Sequence, residues 1–191
     1  MAKILRVFSP LSWFSRLFVF SSSALVISIA INLRTYSALT AEIPIATLYF
    51  KQKKEQQYLV KIHYPNQKRP EQFELEGDEW QMDARMVKWK PLEVIFGSQT
   101  IFRLERISGR FYDIKRERET KTIYPLTPDN GLKVWDTLQQ VPKDLSGVDA
   151  VYGSAVYLPM TDQGAYTILM GLTGLIARPL NAEATQAIKD W

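Results

Sequence analysis

An uncharged and largely apolar run from Leu17 to Leu33 is the feature that most constrains this chain, and an arginine stands on each side of it. As a helix, these 17 residues rise about 25 Å, at the short end of what a bilayer core requires. Ser9 and Pro10 favour an earlier start, because a serine oxygen caps free backbone N–H groups and proline fits the first helical position. The sequence therefore predicts a single transmembrane helix over residues 10–33.

Two other interpretations of the apolar run stay open. Lys3 and Arg6 precede it, as basic residues precede a cleavable secretory signal, and a long apolar helix can also lie buried in a soluble core. The run is longer than the about 7–15 apolar residues usual in a signal, and residues 38–40 match a small-x-small cleavage site poorly. The length of the run therefore favours a retained anchor over both alternatives.

The orientation of the anchor follows from the basic residues near its two ends. They are nearly even in number within about 20 residues of each end, so the positive-inside rule discriminates weakly. After the span, Arg34 is the only basic residue in the first 17 positions. We therefore expect a cytoplasmic stub (1–9), a short linker (34–42) and a globular domain (43–191) outside the cytoplasm, with the anchor in a bacterial inner membrane.

The formal net charge of +4 belongs to the anchor and its flanks. Residues 1–40 contain four basic and no acidic residues, whereas residues 41–191 contain 20 of each. A neutral domain lacks the excess of Lys and Arg that a phosphate-binding surface needs, so we expect no nucleic-acid partner. The chain has no cysteine, which excludes disulfides, thiolate catalysis and cysteine-based metal sites.

Alternation of apolar and polar residues predicts that the globular domain is mainly antiparallel β structure. Residues 43–50 are rich in β-branched and aromatic side chains, and residues 58–64 repeat apolar side chains at every second position after a polar turn. Further strands are expected at 73–75, 80–89, 101–107, 110–114, 123–126 and 151–158. Residues 165–177 are typical of a buried strand or of a tight hairpin bent at a glycine.

Two helices complete the predicted domain. Residues 127–129, Thr-Pro-Asp, are typical of a helix start, and the apolar stripe from Leu132 to Leu138 is expected to pack on the sheet. Asn181 can cap a short terminal helix, whereas residues 115–121 are expected to form an exposed loop of mixed charge. The predicted fold class is α+β: an N-terminal transmembrane helix followed by one mainly antiparallel β domain with one packed helix and a short C-terminal helix.

The sequence contains no recognisable catalytic or metal-binding pattern. His63 is the only histidine, and the serines at positions 108 and 154 each lack one glycine of the nucleophile motif Gly-x-Ser-x-Gly. The acids between Glu74 and Glu79 do not have the spacing of a calcium loop, and residues 171–174 lack the pattern of a phosphate loop. We therefore predict no catalytic residue, no metal ligand, no cofactor-binding residue and no cofactor.

The most suggestive group on one predicted strand comprises Trp80, Asp83, Arg85, Lys88 and Trp89. Asp83 and Arg85 project from the same face and can pair with each other or with a neighbour such as Arg103 or Glu105. One interpretation is a structural ion pair under aromatic cover. The other is a recognition surface, because Trp and Arg are frequent anchors of protein interfaces.

Two segments of the chain carry a resemblance to known sequences: residues 39–46, Leu-Thr-Ala-Glu-Ile-Pro-Ile-Ala, and residues 83–90, Asp-Ala-Arg-Met-Val-Lys-Trp-Lys. They resemble a group of small, uncharacterised bacterial membrane-anchored proteins, some of which carry labels relating them to cation or multidrug efflux. The resemblance covers most of the chain after the anchor. Because one span cannot line a transport pathway, it implies at most a protein that accompanies a transporter.

The anchor, the short linker and the missing catalytic patterns predict a single-pass, membrane-anchored envelope protein with a non-enzymatic interaction or assembly role. The expected partners are the lipid bilayer and another membrane or envelope protein. An alternative is a module that binds a lipid or another apolar molecule in a cavity, and an enzyme of unknown class is a third possibility. The candidate cavity lining is drawn from Phe73, Trp80, Met82, Met86, Trp135 and Tyr157, residue types that more often form plain core.

Overall fold

The computed structural model describes residues 10–90, 100–120, 122–127 and 148–191. The chain divides into two compact units, Met1–Leu39 and Thr40–Trp191. The first unit contains one long helix and the second contains the β structure. The two units are described separately below.

Helix α1 extends over Pro10–Thr40, and its segment Trp13–Ser37 is long and apolar enough to cross a membrane. None of that apolar window is buried by the rest of the chain, which argues against a helix in the core of a soluble domain. Two polar side chains are satisfied within the helix itself: Asn32 Nδ2 donates to the Ser28 carbonyl at 2.9 Å and Thr35 Oγ1 to the Ile31 carbonyl at 2.8 Å. Such local bonds lower the cost of polar groups in an apolar surrounding.

The predicted linker over 34–42 is largely helical. Helix α1 continues to Thr40, so that only residues 41 and 42 separate it from the first strand. The helix continues because residues 34–40 contain neither proline nor glycine, and Ser37 Oγ bonds back to the Arg34 carbonyl at 2.9 Å. The short linker predicted over 34–42 thus consists mostly of the end of helix α1.

The described part of the second unit contains nine strands and two short helices. The strands are β1 (Ile43–Lys54), β2 (Gln57–His63), β3 (Glu71–Glu76), β4 (Glu79–Trp89), β5 (Ile101–Arg110), β6 (Ile123–Pro125), β7 (Val148–Pro159), β8 (Ala165–Met170) and β9 (Leu175–Pro179). The helices are α2 (Ile114–Glu119) and α3 (Ala182–Lys189). The predicted α+β class is confirmed.

The strands form two sheets in which every neighbouring pair is antiparallel. One sheet has the order β3-β2-β1-β8-β9 and the other has the order β6-β5-β4-β7. Residues 165–177 contain the predicted hairpin, since β8 and β9 pair and the Gly171 N–H donates to the Gly174 carbonyl at 2.9 Å. The mainly antiparallel architecture thus agrees with the alternation in the sequence.

One apolar core lies between the two sheets. On β4, the period of two places Trp80, Met82, Ala84 and Met86 on one face, and all four are buried. The Phe50 ring of β1 lies 6.1 Å from the Trp80 ring, and the Tyr166 ring of β8 lies 5.4 Å from it, measured between centroids. Aromatic rings from both sheets therefore meet around Trp80, and burial of each large side chain contributes roughly 1.5–3 kcal/mol.

The end of the β domain farthest from Ile43 is here called the distal end. Three chain reversals meet there through backbone hydrogen bonds: Gly77 N to Gln56 O at 2.9 Å, Asp78 N to Arg110 O at 2.8 Å and Met160 N to Asp78 O at 2.8 Å. Gly77 has a φ of +146°, and a Cβ atom there would lie 2.3 Å from the Arg110 oxygen. A glycine is therefore required at position 77, where backbone hydrogen bonds join the two sheets.

Two elements near Arg110 differ from the sequence prediction. Strand β5 continues through Ser108 and Gly109 and ends at Arg110, so the expected strand over 110–114 is absent from the described residues. The Asp113 side chain instead accepts a hydrogen bond from the Lys115 N–H at 2.8 Å and caps α2, which replaces most of the expected loop over 115–121. An aspartate cap outweighs the weak strand pattern here.

The two predicted helices of the domain have different outcomes. The helix predicted after residues 127–129 falls on residues 128–147, which lie outside the described residues. The terminal helix is confirmed as α3: Asn181 Oδ1 accepts hydrogen bonds from Ala184 N at 3.1 Å and from Ala165 N at 3.0 Å. One asparagine thus caps α3 and fastens it to β8.

Candidate functional site

The predicted recognition surface on β4 does not form as one surface. Trp80 is fully buried, with a relative exposure of 0%, and belongs to the core between the sheets. Its indole N–H has no hydrogen-bond partner among the described residues, which lowers the stability of the fold. Because the ring is buried, a partner protein cannot reach this N–H group. Including Trp80 in a surface was therefore wrong, because it lies on the opposite face of the strand from Asp83 and Arg85.

Asp83 and Arg85 lie on the outer face of β4, next to β5. Asp83 forms an ion pair with Arg106, and Arg85 Nε lies 3.1 Å from Glu105 Oε1. Arg103 Nη2 approaches the same Glu105 oxygen at 2.9 Å. Asp83 and Arg85 are therefore each paired with a residue of β5, in agreement with the structural interpretation of these charges.

Lys88 and Trp89 lie at the end of β4 away from the distal end. Lys88 Nζ pairs with Asp149 Oδ2 at 2.9 Å, and this hydrogen bond raises the pKa of the Lys88 ammonium group. Trp89 packs with Val151 against Val87, which is fully buried. The pairing of β4 with β7 also shifts register between Lys88 and Trp89. The outer face is thus covered at this end, and a bulge lies beside it.

A different group lies at the distal end, and we call it the distal patch: Arg110, Tyr112, Tyr157 and Trp191. The relative exposures of its three aromatic residues are 59%, 44% and 53%. Arg110 ends β5, Tyr112 precedes α2, Tyr157 lies on β7 and Trp191 follows α3. The fold therefore brings together side chains from three separate parts of the chain.

The buried carboxylate of Glu79 contacts two side chains of the distal patch. Glu79, with a relative exposure of 6%, is the first residue of β4. Its Oε1 accepts a hydrogen bond from Trp191 Nε1 at 2.8 Å, and its Oε2 lies 3.2 Å from Arg110 Nη1. A buried charge is tolerated only when it is paired and hydrogen-bonded, so both contacts fix side chains of the patch in place.

Ring contacts extend this arrangement across the surface. The Arg110 guanidinium carbon lies 4.4 Å from the centroid of the Tyr157 ring, which is a cation–π distance. The Trp191 ring meets the Tyr157 ring edge to face, with centroids 5.8 Å apart and an interplanar angle of 85°. Tyr157 is therefore held between a cation and a second aromatic ring while it remains partly exposed.

Tyr112 is positioned by its backbone and by its charged surroundings. Its N–H donates to Asp78 Oδ2 at 2.9 Å. Partial burial and the negative charges of Glu79 and Asp78 raise the pKa of the Tyr112 hydroxyl, whereas a hydrogen bond with the Trp191 side chain acts in the opposite direction. A tyrosine hydroxyl is protonated at neutral pH even at its ordinary pKa, so this group can donate a hydrogen bond to a binding partner.

The chemistry available at the distal patch is that of binding. Stacking, cation–π contacts and hydrogen bonds are provided by its rings, by Arg110 and by the Tyr112 hydroxyl. Within residues 10–90, 100–120, 122–127 and 148–191, no group of three or more His, Asp or Glu side chains is placed to hold a metal ion. His63 is exposed on β2, and its ring contacts the Tyr49 ring at 5.4 Å between centroids.

The side chains predicted to line an apolar cavity are dispersed in the structure. Trp80, Met82 and Met86 pack into the core, Tyr157 lies in the distal patch, and Trp135 falls outside the described residues. Phe73 instead stacks on Tyr124 at 5.2 Å between centroids. An open groove of about 500 Å³ lies beside it, lined by Glu71, Gln72, Phe73, Pro125, Leu126 and Thr127. The expected lining residues therefore do not share one cavity.

The sequence carried only a partial signal for the distal patch. Tyr112 lies in the segment over 110–114 that is predicted to be a strand, and no sequence pattern assigns a role to Trp191. Comparison of the chain with protein-family models, with curated proteins and with solved structures finds no match. The geometry of the described residues is therefore the basis for a functional proposal.

Proposed function

We propose that this chain is a single-pass membrane protein of a bacterial-type envelope, which holds its β domain outside the cytoplasm to bind another membrane or envelope protein. The exposed apolar helix supports the anchor, because Trp13–Ser37 has the length and composition of a membrane span. The interaction role is non-enzymatic and serves assembly or acts as an accessory to a larger complex. An efflux transporter is one such complex, in keeping with the resemblance of the sequence.

The distal patch is the single observation that carries the interaction role. Tyr, Trp and Arg are the residue types that contribute most to binding energy at protein interfaces. Here all three types occur together, and contacts with Glu79 and between the rings hold them in place before any partner arrives. Such preorganisation lowers the entropy cost of association.

The position of the patch in the domain agrees with this role. It lies at the distal end, whereas the chain enters the domain at Ile43. The outer face of β4 offers a weaker candidate surface, because the charges of Asp83 and Arg85 are already matched by β5. A partner that paired with them would have to displace existing ion pairs.

The interaction role is tested by capturing the partner in cells with two matched tyrosine variants. Tyr157 and Tyr49 have relative exposures of 44% and 43%, and Tyr49 lies on β1 of the other sheet. After formaldehyde crosslinking and purification of the full chain, we expect Tyr157→Ala to lose an envelope protein that the wild type and Tyr49→Ala retain. Equal recovery from all three chains, or no protein above background, would count against the role.

The orientation is tested separately with a reporter fused after Trp191. Alkaline phosphatase is active only outside the cytoplasm, so the proposal requires phosphatase activity in the fusion. A second fusion after Trp191 carries a reporter that is active only in the cytoplasm, and activity of that reporter would overturn the proposed orientation. Membrane fractionation of the same fusion tests the anchor, because a cleaved signal would release the β domain.

A further inference from the structure

Strand β7 forms one edge of the four-stranded sheet. It pairs with β4 along its length, from Pro159 opposite Glu79 to Val148 opposite Trp89. Within the described ranges no strand pairs with its other side. Gly153, Ala155 and Tyr157 are exposed along this edge. An unpaired edge of this length offers a row of backbone N–H and C=O groups to another strand.

The register identifies which backbone groups of β7 face outwards. The Met160 N–H donates to the Asp78 carbonyl, and Pro159 lies opposite Glu79. In an antiparallel ladder, residue pairs that exchange hydrogen bonds alternate with pairs that do not, and Glu79 and Pro159 form a pair that does not. On β7, the residue before Pro159 and every second residue before that one are therefore bonded to β4. The outward N–H and C=O groups therefore belong to Val151, Gly153, Ala155 and Tyr157.

The other three sheet edges carry features that oppose pairing. Strand β3 presents Glu71, Glu74 and Glu76, and β6 is only three residues long and ends in Pro125. On β9 the Leu175 N–H already donates to Ser154 Oγ at 2.9 Å, and the strand ends in Pro179. Charges, proline and short length are the usual protection of edge strands. Strand β7 has no charged side chain between Asp149 and Pro159.

We propose that β7 pairs antiparallel with β7 of a second copy of this chain, about a twofold axis at Ser154. In this register Tyr157 of one copy lies beside Val151 of the other, a favourable pair of an aromatic and a β-branched side chain, and Gly153 lies beside Ala155. No like charges meet, since the paired segment is uncharged. The same segment of β7 thus contacts its counterpart in the other copy, as a closed twofold dimer requires.

The twofold axis of the proposed pair is perpendicular to the strands, so the Ile43 ends of the two copies lie on opposite sides of it. Self-association uses the backbone of β7, and the Tyr157 side chain belongs both to the paired segment and to the distal patch.

Cysteine crosslinking in membranes tests the proposed contact, because the chain has no cysteine of its own. In the full chain, Ala155→Cys places a thiol at the interface, whereas Tyr49→Cys places one at an exposed site on the other sheet. A short bismaleimide is expected to give a covalent dimer with Ala155→Cys and not with Tyr49→Cys. Absence of a dimer, equal dimer from both variants, or crosslinks from Ala155→Cys only to other proteins would overturn self-pairing.

A proline variant tests whether backbone pairing holds the dimer. Ala155→Pro removes an outward N–H and leaves the hydrogen bonds to β4 intact, whereas Ala155→Val keeps the N–H. Because two N–H···O bonds per dimer are lost, we expect Ala155→Pro to weaken dimerisation of the detergent-solubilised full chain by about tenfold or more, measured by light scattering. Ala155→Val should remain a dimer.

Thermal unfolding establishes that the variants are folded. If Ala155→Pro does not fold, Ala155→Lys replaces it, since a lysine on each copy places two like charges at the interface while its exposed site tolerates the side chain. A monomeric wild type, or equal association of wild type and whichever of these two variants folds, would contradict the proposal.

Discussion

The hydrogen bond between Trp191 and Glu79 gives the sharpest stability prediction, because a neutral donor at the chain end meets a buried charge. The Nε1 to Oε1 distance is 2.8 Å and Glu79 is 6% exposed, whereas Trp191 is 53% exposed. Hydrogen bonds to charged groups contribute about 1.5–3 kcal/mol, and the exposure of the donor places this one near the lower limit. Trp191→Phe keeps a ring against Tyr157 and removes only the N–H donor.

We therefore expect Trp191→Phe to lower the free energy of unfolding by about 1.5–2 kcal/mol. For a chain of this size the corresponding fall in Tm is roughly 3–8 °C. The measurement is thermal and urea unfolding of the full chain in detergent, with circular dichroism as the signal.

A double-mutant cycle isolates the contribution of the charge. In a Glu79→Gln background the acceptor is neutral, so the same Trp191→Phe substitution should cost only about 0.5–1.5 kcal/mol. The coupling energy between the two positions should be about 1 kcal/mol. An equal loss in both backgrounds, or a loss below about 0.5 kcal/mol in the wild type, would refute the assignment of this bond as the support of the distal patch.

Three further predictions test the fold around the patch. Gly77→Ala should destabilise the domain by more than about 3 kcal/mol in urea unfolding, since its Cβ would meet the Arg110 oxygen at 2.3 Å and its φ is +146°; a loss under about 1 kcal/mol would contradict this. Arg85→Ala should cost no more than about 1 kcal/mol, because Arg85 and Glu105 are both partly exposed, and a failure to fold would contradict this small contribution. Burial raises the pKa of Tyr166 to about 12, so the stability that it contributes is complete below pH 10 and is lost as pH rises towards 12. Tyr166→Phe should therefore flatten the decline of stability between pH 10 and pH 12, measured by urea unfolding, and an unchanged slope would contradict the burial effect.

Local patterns in the sequence were sufficient for much of the fold. The alternation on β4 places Trp80, Met82 and Met86 on one face, which the fold buries, and the helix cap predicted at Asn181 is confirmed. These signals are local, because a strand period and a cap each involve only a few neighbouring residues. The same alternation separates Trp80 from Arg85, so grouping the two on one surface contradicted the pattern itself.

Other features depended on contacts that no local pattern encodes. The distal patch joins Tyr112, Tyr157 and Trp191, and the residue that holds it, Glu79, is distant from Trp191 along the chain. Likewise, the alternation over residues 110–114 predicted a strand and gave no indication that Asp113 caps α2. A buried carboxylate with two partners is recognisable only once the strands are assembled.

Photo-crosslinking in living cells tests the proposed interaction role most directly. A benzoylphenylalanine residue at position 157 replaces a ring of the distal patch, and the same residue at position 49 provides a control of nearly equal exposure. The proposal requires a discrete adduct with a membrane or envelope protein other than a second copy of this chain from position 157 and none from position 49. Identical adducts from both positions, or no adduct from position 157, would contradict the role of the distal patch.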